Sequence, residues 1–310
     1  MKLGFRFCRK WLIALCLLAN LAAALELLGA GCASAPAGLA GWWPGDGTAD
    51  DIAGSNDGTL EGGAIANGVG LVGSAFNFDG TNAYVQIPDS AALRPTNLTV
   101  EAWVRFAALT SPGNTTDTNQ QYIVFKQNSR SGNFEGYDLG TAGAGGRVFL
   151  AFRVSSAAGV GVKVLSTTPV TTNVWYHVAG VRGTNFIQIY VDGQLQGQTN
   201  VSFAQDYGNY PLYLGTSGQS YWNRKFKGTL DEVSLYSRAL SANEIGAIYA
   251  AGAAGKCKAP AITVQPQDQA VAKFNRMWAG ADQSVRDKYA RIGSMGDREQ
   301  PAVAGIRKPT

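Results

Sequence analysis

The stretch Phe226–Gly252, FKGTLDEVSLYSRALSANEIGAIYAAG, changes its period partway, and that change limits what the chain can fold into. Its first half alternates as a strand does, with Val233 and Leu235 on one face and Ser234 on the other. Alternation puts Asp231 on the face of Val233, where burial would demand a partner, and Glu232 on the opposite face. Two carboxylates on opposite faces cannot work as an acid and base pair. Ser241-Ala242-Asn243-Glu244 then has the form of a capping box, Ile245, Ile248 and Tyr249 recur at helical spacing, and Gly252 is a natural stop. A closing strand that runs into a short docking helix is therefore expected.

The rest of the body reads as β. Strand-like runs recur at 75–78, 84–87, 98–106, 122–126, 136–139, 148–154, 160–165, 175–181, 186–191, 212–214 and 228–236, with turn signals between them. Asp192-Gly193 between IQIYV and QLQGQ is a two-residue hairpin signal. A body of this length with this many short strands fits one two-sheet sandwich. Ser111–Gln120 (SPGNTTDTNQ) reads as an exposed loop, and Ala142–Gly146 as a flexible connection.

GTLDEVSLYSRALSANEIGAIYAAG resembles the closing segment of the laminin-G-like, concanavalin A-like jelly-roll domains of secreted bacterial proteins. Three further segments are similar to the same family in the same order: GLAGWWPGDGTADDIAGSNDGTL, then SAFNFDGTNAYVQIPDSAAL with LTVEAWV, then VWYHVAGVRGTNFIQIYVDGQ. The resemblance covers about 38–256 and implies an all-β, two-sheet antiparallel jelly-roll sandwich with a short C-terminal docking helix. It speaks to fold more than to function, because such folds host many roles.

Around this domain, assigned to 38–257, lie other segments. Lys2, Arg6, Arg9 and Lys10 precede an apolar run, Trp11–Ala19, and small residues at 22–24, the pattern of a signal peptide over 1–24. The run is short for a membrane span, so no transmembrane span is expected after cleavage and the destination is extracytoplasmic. A linker, 25–37, follows. Gly29-Ala30-Gly31-Cys32 has the small residues of a lipoprotein signal, with Gly29 where Leu is usual; lipidation of Cys32 is the lesser reading. The formal charge of +4 comes from the ends. Residues 25–255 hold 12 Lys and Arg against 17 Asp and Glu, whereas 256–310 hold 10 against 5. The basic balance is thus no argument for a nucleic-acid partner. APAITVQPQDQAV resembles the opening strand of an immunoglobulin-like domain, but 258–310 lacks the further strands and reads as a truncated or disordered tail, with a short helix around 284–292.

Cys8 and Cys16 fall in the leader, which leaves Cys32 and Cys257 flanking the matched domain. In a sandwich of this kind the first and last strands are neighbours, so an oxidising compartment favours a Cys32–Cys257 disulfide. Two free thiols are the alternative, and lipidation of Cys32 would exclude the bridge.

His177 is the single histidine, so no two-His metal centre can form, and no nucleophile-elbow motif accompanies it for a triad. Alternation puts it on the face of Trp175 and Ala179, as a strand histidine satisfied by neighbours. Glycosidases occur on such sandwiches and need two carboxylates about 5–9 Å apart. The E-x-D-x-x-E strand pattern of sandwich glucanases is absent, and Glu101 and Asp138 are lone carboxylates on strands. The loop DDIAGSNDG offers oxygen ligands suited to calcium. The resemblance implies a structural calcium where the early loop meets the closing strand, carried by Asp51, Asn56 and Asp231 with Asp79 as a further candidate. The alternative is that these groups form turns.

Tyr207, Tyr210, Tyr221 and Trp222 stand in segments rich in Gly, Asn, Gln and Ser, with Asn223 and Arg224 beside them. Flat rings with nearby hydrogen-bonding groups suit a sugar; covering a sandwich edge is the alternative use. The expectation is a non-catalytic module for carbohydrate or a surface glycoconjugate, with a glycan or glycoprotein as partner. A protein-binding adhesion or scaffold module is the alternative, and a glycoside hydrolase comes third.

Overall fold

The last strand of the chain, Lys227–Tyr236, organises the first of two antiparallel sheets. The computed structural model describes residues 31–111, 119–128, 132–219 and 224–258; the leader, the first part of the expected linker (25–30), and all of the tail except Lys258 lie outside them. Two compact units are distinguished, 1–257 and 258–310, and the described residues other than Lys258 belong to the first.

The strands in chain order are β1 (Leu39–Trp43), β2 (Thr59–Glu61), β3 (Ile65–Val69), β4 (Ser74–Asp79), β5 (Tyr84–Ile87), β6 (Leu98–Phe106), β7 (Tyr122–Gln127) and β8 (Gly136–Ala144). There follow β9 (Arg147–Ser155), β10 (Gly161–Pro169), β11 (Trp175–Arg182), β12 (Phe186–Val191), β13 (Gln194–Asn200), β14 (Leu212–Leu214) and β15 (Lys227–Tyr236), then the helix α1 (Ala242–Ala251). One sheet has eight strands in the order β13-β12-β11-β6-β15-β4-β3, with β1 paired to the second half of β15. The other has seven, in the order β10-β9-β8-β7-β14-β5-β2.

The core fills the space between the sheets. Phe76, Phe78, Phe106 and Phe226 meet there with Val100, Val104, Leu139 and Phe152. Alternation decides which residues enter it: Tyr176 and Val178 of β11 face inward, and His177 and Ala179 face away. Asp192 and Gly193 both have left-handed φ, 51° and 74°, as the two-residue turn between β12 and β13 requires. Residues 142–146 form the end of a hairpin between β8 and β9, not a loose connection, because Gly145 and Gly146 supply the turn while 142–144 stay in register with 147–149.

The helix docks on the outward face of the eight-stranded sheet. Ser241 Oγ accepts from the Glu244 amide at 3.3 Å and Glu244 Oε2 accepts from the Ser241 amide at 2.8 Å, so the capping box is complete. Ile245 and Ile248 pack there with Tyr190, Tyr236 and Leu240.

One local prediction fails. Asp231 pairs with Trp103 and Ser234 with Glu101, so three steps on β15 match two on β6. The extra residue is a bulge at Glu232, whose φ is 56°. Asp231 therefore lies opposite Trp103 on the outward face, while Val233 stays in the core. Glu232 joins the same outward face, contacting Trp42 and Lys256. The bulge puts both carboxylates on one side of the sheet.

Candidate functional site

Val124 and Leu214 belong to the core between the sheets, so their neighbours Phe125 and Tyr213 face outward from the seven-stranded sheet. Register extends this outward row across the sheet as Lys163, Arg153, Asp138, Phe125, Tyr213, Gln86 and Thr59. Tyr122 stacks beside Phe125 with ring centroids 4.5 Å apart, and Tyr84 stands 6.1 Å from Tyr213 beneath the Lys225 ammonium.

A cleft of about 330 Å³ opens on this face. Gln120, Tyr122, Gln127, Asn133, Phe134, Asp138, Arg153 and Ser155 line it, with glycines 132, 159 and 161. The volume is at the lower end for small-ligand pockets. Phe134, half-buried, is held at a left-handed φ of 55°, an unusual conformation for a large side chain. Inside the cleft Arg153 Nη1 donates to Asp138 Oδ1 at 2.5 Å and Nη2 donates to the Thr141 carbonyl at 2.8 Å. Burial pushes the Asp138 carboxyl above its usual range, and the Arg153 charge offsets only part of this. Aromatic walls, neutral amides and one ion pair make a surface suited to a polar ligand with apolar faces.

Of the aromatic set expected from sequence, neither Tyr207 nor Tyr210 lines this cleft. Tyr221, Trp222 and Asn223 lie outside the described residues. Tyr207 is not a stacking platform. Its hydroxyl donates to the Pro95 carbonyl at 2.6 Å and its ring meets Tyr137 edge-on at 6.0 Å, so it plugs the margin of the core. The Tyr210 carbonyl accepts from Lys126, which also pairs with Asp89. Arg224 Nε donates to Gln120 Oε1 at 3.3 Å, on the margin of the cleft. Phe134 stands in SGNFEG, an aromatic among Gly, Ser and Asn, the same kind of signal that marked Tyr207.

The four calcium candidates do not assemble into one site. Asp51 is buried, and its oxygens accept from the Trp42, Ala53 and Asn56 amides and from Asn56 Nδ2. Asn56 Oδ1 accepts from Ser90. Asp79 accepts from the amides of Thr81, Asn82 and Ala83 and from the Thr81 hydroxyl. These three groups are turn-formers with their acceptors filled. Asp231 Oδ2 takes the Leu71 and Val72 amides, while its buried Oδ1 has no partner among the described residues. Burial first, and then Glu232 and Asp46 by their charge, push this carboxyl up to about 7 against the pull of those two amides. Among the described residues no three His, Cys, Asp or Glu side chains cluster as a metal site.

The outward face of the other sheet holds a buried charge network. His177 Nε2 lies 3.2 Å from Glu101 Oε2, Lys256 Nζ donates to Glu101 Oε1 at 3.0 Å and lies 3.3 Å from Glu232 Oε2, and Trp42 Nε1 donates to Glu232 at 3.1 Å. The Lys256 ammonium also lies 4.9 Å from the centre of the Trp42 ring. Glu101 is thus a structural counter-ion. Cys257, the next residue, is bonded to Cys32, with Cα atoms 4.9 Å apart. A second cleft, about 340 Å³, sits beside α1 between Trp103, Trp175, Tyr249 and Asp192.

Two stacked antiparallel sheets with a ligand-sized cleft on one outer face define a lectin-type sandwich. A laminin-G profile described as the concanavalin A-like lectin/glucanases superfamily matches residues 79–246, more than half of the chain, and the protein belongs to that family. No curated protein matches the sequence. Among solved structures, domain 4 of AbnA, a GH43 extracellular arabinanase from Geobacillus stearothermophilus in complex with arabinotriose, is similar at a TM-score of 0.53 and 20% identity, covering 67% of this chain and 96% of that domain. The binding domain of Paraclostridial Mosquitocidal Protein 1 is similar at 0.53 and 14%, covering 64% of this chain and 48% of that one. The receptor binding domain of botulinum neurotoxin C/D mosaic serotype is similar at 0.51 and 15%, covering 68% and 51%. The chain spans about half the length of these two toxin domains. At such identities the likeness is one of fold. Among the described residues, no helix is long and apolar enough to cross a membrane.

Proposed function

We propose that the protein is an extracytoplasmic, non-catalytic module that binds carbohydrate or a glycoconjugate in the cleft on the seven-stranded sheet. The observation that carries this reading is the meeting of Tyr122 and Phe134 with Gln120, Gln127, Asn133 and the Asp138–Arg153 pair around one ligand-sized space. Rings cover the apolar C–H faces of a sugar, and amides reach its hydroxyls in either direction. The similar arabinanase domain, which holds arabinotriose, supports a glycan as the class of ligand. Asp138 is the single carboxylate among the described residues that line the cleft, whereas glycoside hydrolysis uses two. The disulfide supports an oxidising compartment. A structural calcium enters the proposal at Asp231, where the buried, unpaired Oδ1 would be one of its oxygen ligands; its effect would be on stability.

The test is a glycan array probed with the purified protein and with Phe134→Ala. Binding that is present in the first and lost in the second, with an unchanged melting curve, supports the cleft; an array silent for folded protein sinks the carbohydrate reading. A protein partner is the second reading. It is favoured by the aromatic cleft beside α1, where Tyr249 is 38% exposed and Val69, two residues before Leu71 of the lining, is 80% exposed.

A further inference from the structure

We infer that the Asp138–Arg153 pair makes this cleft selective for uncharged sugars that present two neighbouring hydroxyls, an inference that rests on the carbohydrate reading of the same cleft. Asp138 is 1% exposed, and its Oδ2 has no hydrogen-bond partner among the described residues, although the side chain lines the cleft. Buried carboxylate oxygens are nearly always matched to a donor, and a ligand hydroxyl is a donor that this space can admit. Arg153 is more open, with 16% of its side chain exposed, and two of its five N–H groups are engaged by Asp138 and Thr141. An unpaired, buried acceptor therefore sits beside a partly exposed donor, and the ion pair fixes their spacing. Two adjacent sugar hydroxyls complete that arrangement, one donating to Asp138 Oδ2 and the other accepting from Arg153.

The same pair disfavours an acidic sugar. The charges of Asp138 and Arg153 cancel, and the remaining polar lining of Gln120, Gln127, Asn133 and Ser155 is neutral. A uronate carboxylate could reach the guanidinium only by approaching the Asp138 carboxylate or taking Arg153 away from it. Either route leaves a buried negative charge against a like charge or without its counter-ion. Lys163, opposite Arg153 on β10, is exposed to water and offers an anion little compensation.

The experiment is a calorimetric titration of the whole purified protein with arabinotriose, xylotriose and cellotriose as neutral probes and trigalacturonate as the acidic one. At least one neutral probe is expected to bind tenfold or more tightly than trigalacturonate, about the factor that one hydrogen bond to a charged group is worth. Asp138→Asn keeps the shape but replaces one acceptor by a donor, and should weaken that neutral probe about tenfold while narrowing the gap to trigalacturonate. Arg153→Lys, which keeps the charge and loses the paired donors, should weaken the neutral probe as well. The wild-type comparison needs no variant, so it stands even if a substitution prevents folding. Tighter binding of trigalacturonate by the wild-type protein overturns the selectivity and leaves the carbohydrate reading intact. Folded Asp138→Asn with undiminished neutral affinity also overturns it. Silence toward every probe overturns both.

Discussion

Lys256 Nζ lies 3.0 Å from Glu101 Oε1 in a pair whose side chains are 1% and 0% exposed, and Lys256 is the residue directly before the bridged Cys257. Burial alone would raise the Glu101 pKa; the Lys256 charge and then the His177 contact outweigh it, and the net shift is downward. The lysine enters the protein interior only if the chain after α1 is held there.

Replacing Lys256 by Met should therefore cost about 3–5 kcal/mol, because Glu101 and Glu232 would stay buried without their shared cation. A urea melt measures this. A loss below about 1 kcal/mol would mean that water already screens the network.

The double substitution Cys32→Ser, Cys257→Ser should lower stability by up to roughly 4–5 kcal/mol, the limit of chain-entropy models for so long a loop. Its effect and that of Lys256→Met should be less than additive, since both loosen the same segment. A double-mutant cycle tests the coupling, and strict additivity would argue that Lys256 docks without help from the bridge.

Two buried acids should give opposite pH signatures. The native state holds the Asp231 proton up to about pH 7, against an ordinary value of 3.8, so it binds more protons than the unfolded chain between these limits. In metal-free buffer stability should then fall as pH rises from about 4 to about 7, by as much as 3–4 kcal/mol in the ideal case, and stay level above that. Asp231→Asn should reduce the slope, leaving the part that the raised Asp138 carboxyl contributes, and calcium bound at Asp231 should flatten it. Glu101 works the other way: its carboxylate is favoured by folding, so its contribution is present above the ordinary glutamate range and lost as pH falls below it. Melts from pH 3 to 8 of the wild type, Asp231→Asn and Glu101→Gln separate the two.

Tyr207→Ala and Phe134→Ala should part company. The first removes a ring wedged against Tyr137 and a hydroxyl held by Pro95, and should lose on the order of 2 kcal/mol with glycan affinity little changed. The second should melt within about 0.5 kcal/mol of the wild type and lose binding. The reverse pattern would return the ligand site to the loop after Val201.

The legible and illegible parts of the fold divide along physical lines. Long alternating runs such as Leu98–Phe106 and the capping box at Ser241 rest on neighbours in the chain, and both read correctly. The bridge between Cys32 and Cys257 was legible through the family's arrangement of its end strands. The short strands β2 and β3 carry Gly, Asn and exposed side chains, so alternation leaves little trace there. The bulge at Glu232 depends on how β15 meets β6, and one unpaired residue was enough to reverse the facing assigned to Asp231. The cleft was hidden for a similar reason. Tyr122, Asp138, Arg153 and Phe134 come from separate segments that only strand register brings together. Asp51 and Asn56 look like metal ligands in sequence because turn-forming and metal-binding loops draw on the same oxygens.

The bridge also decides how the domain would carry load. Tension applied to the chain before Cys32 and after Cys257 passes through two Cα atoms 4.9 Å apart, not through the sheets. The 225 residues of sequence separation between them, roughly 750–800 Å if drawn straight, would stay folded while the covalent link held. Under oxidising conditions a pulled tether would therefore slacken by almost nothing at this domain, and the ligand cleft would keep its shape under strain. Reduction would place the same pull on β1 and β15, the strands nearest the two ends, and let the whole contour run out.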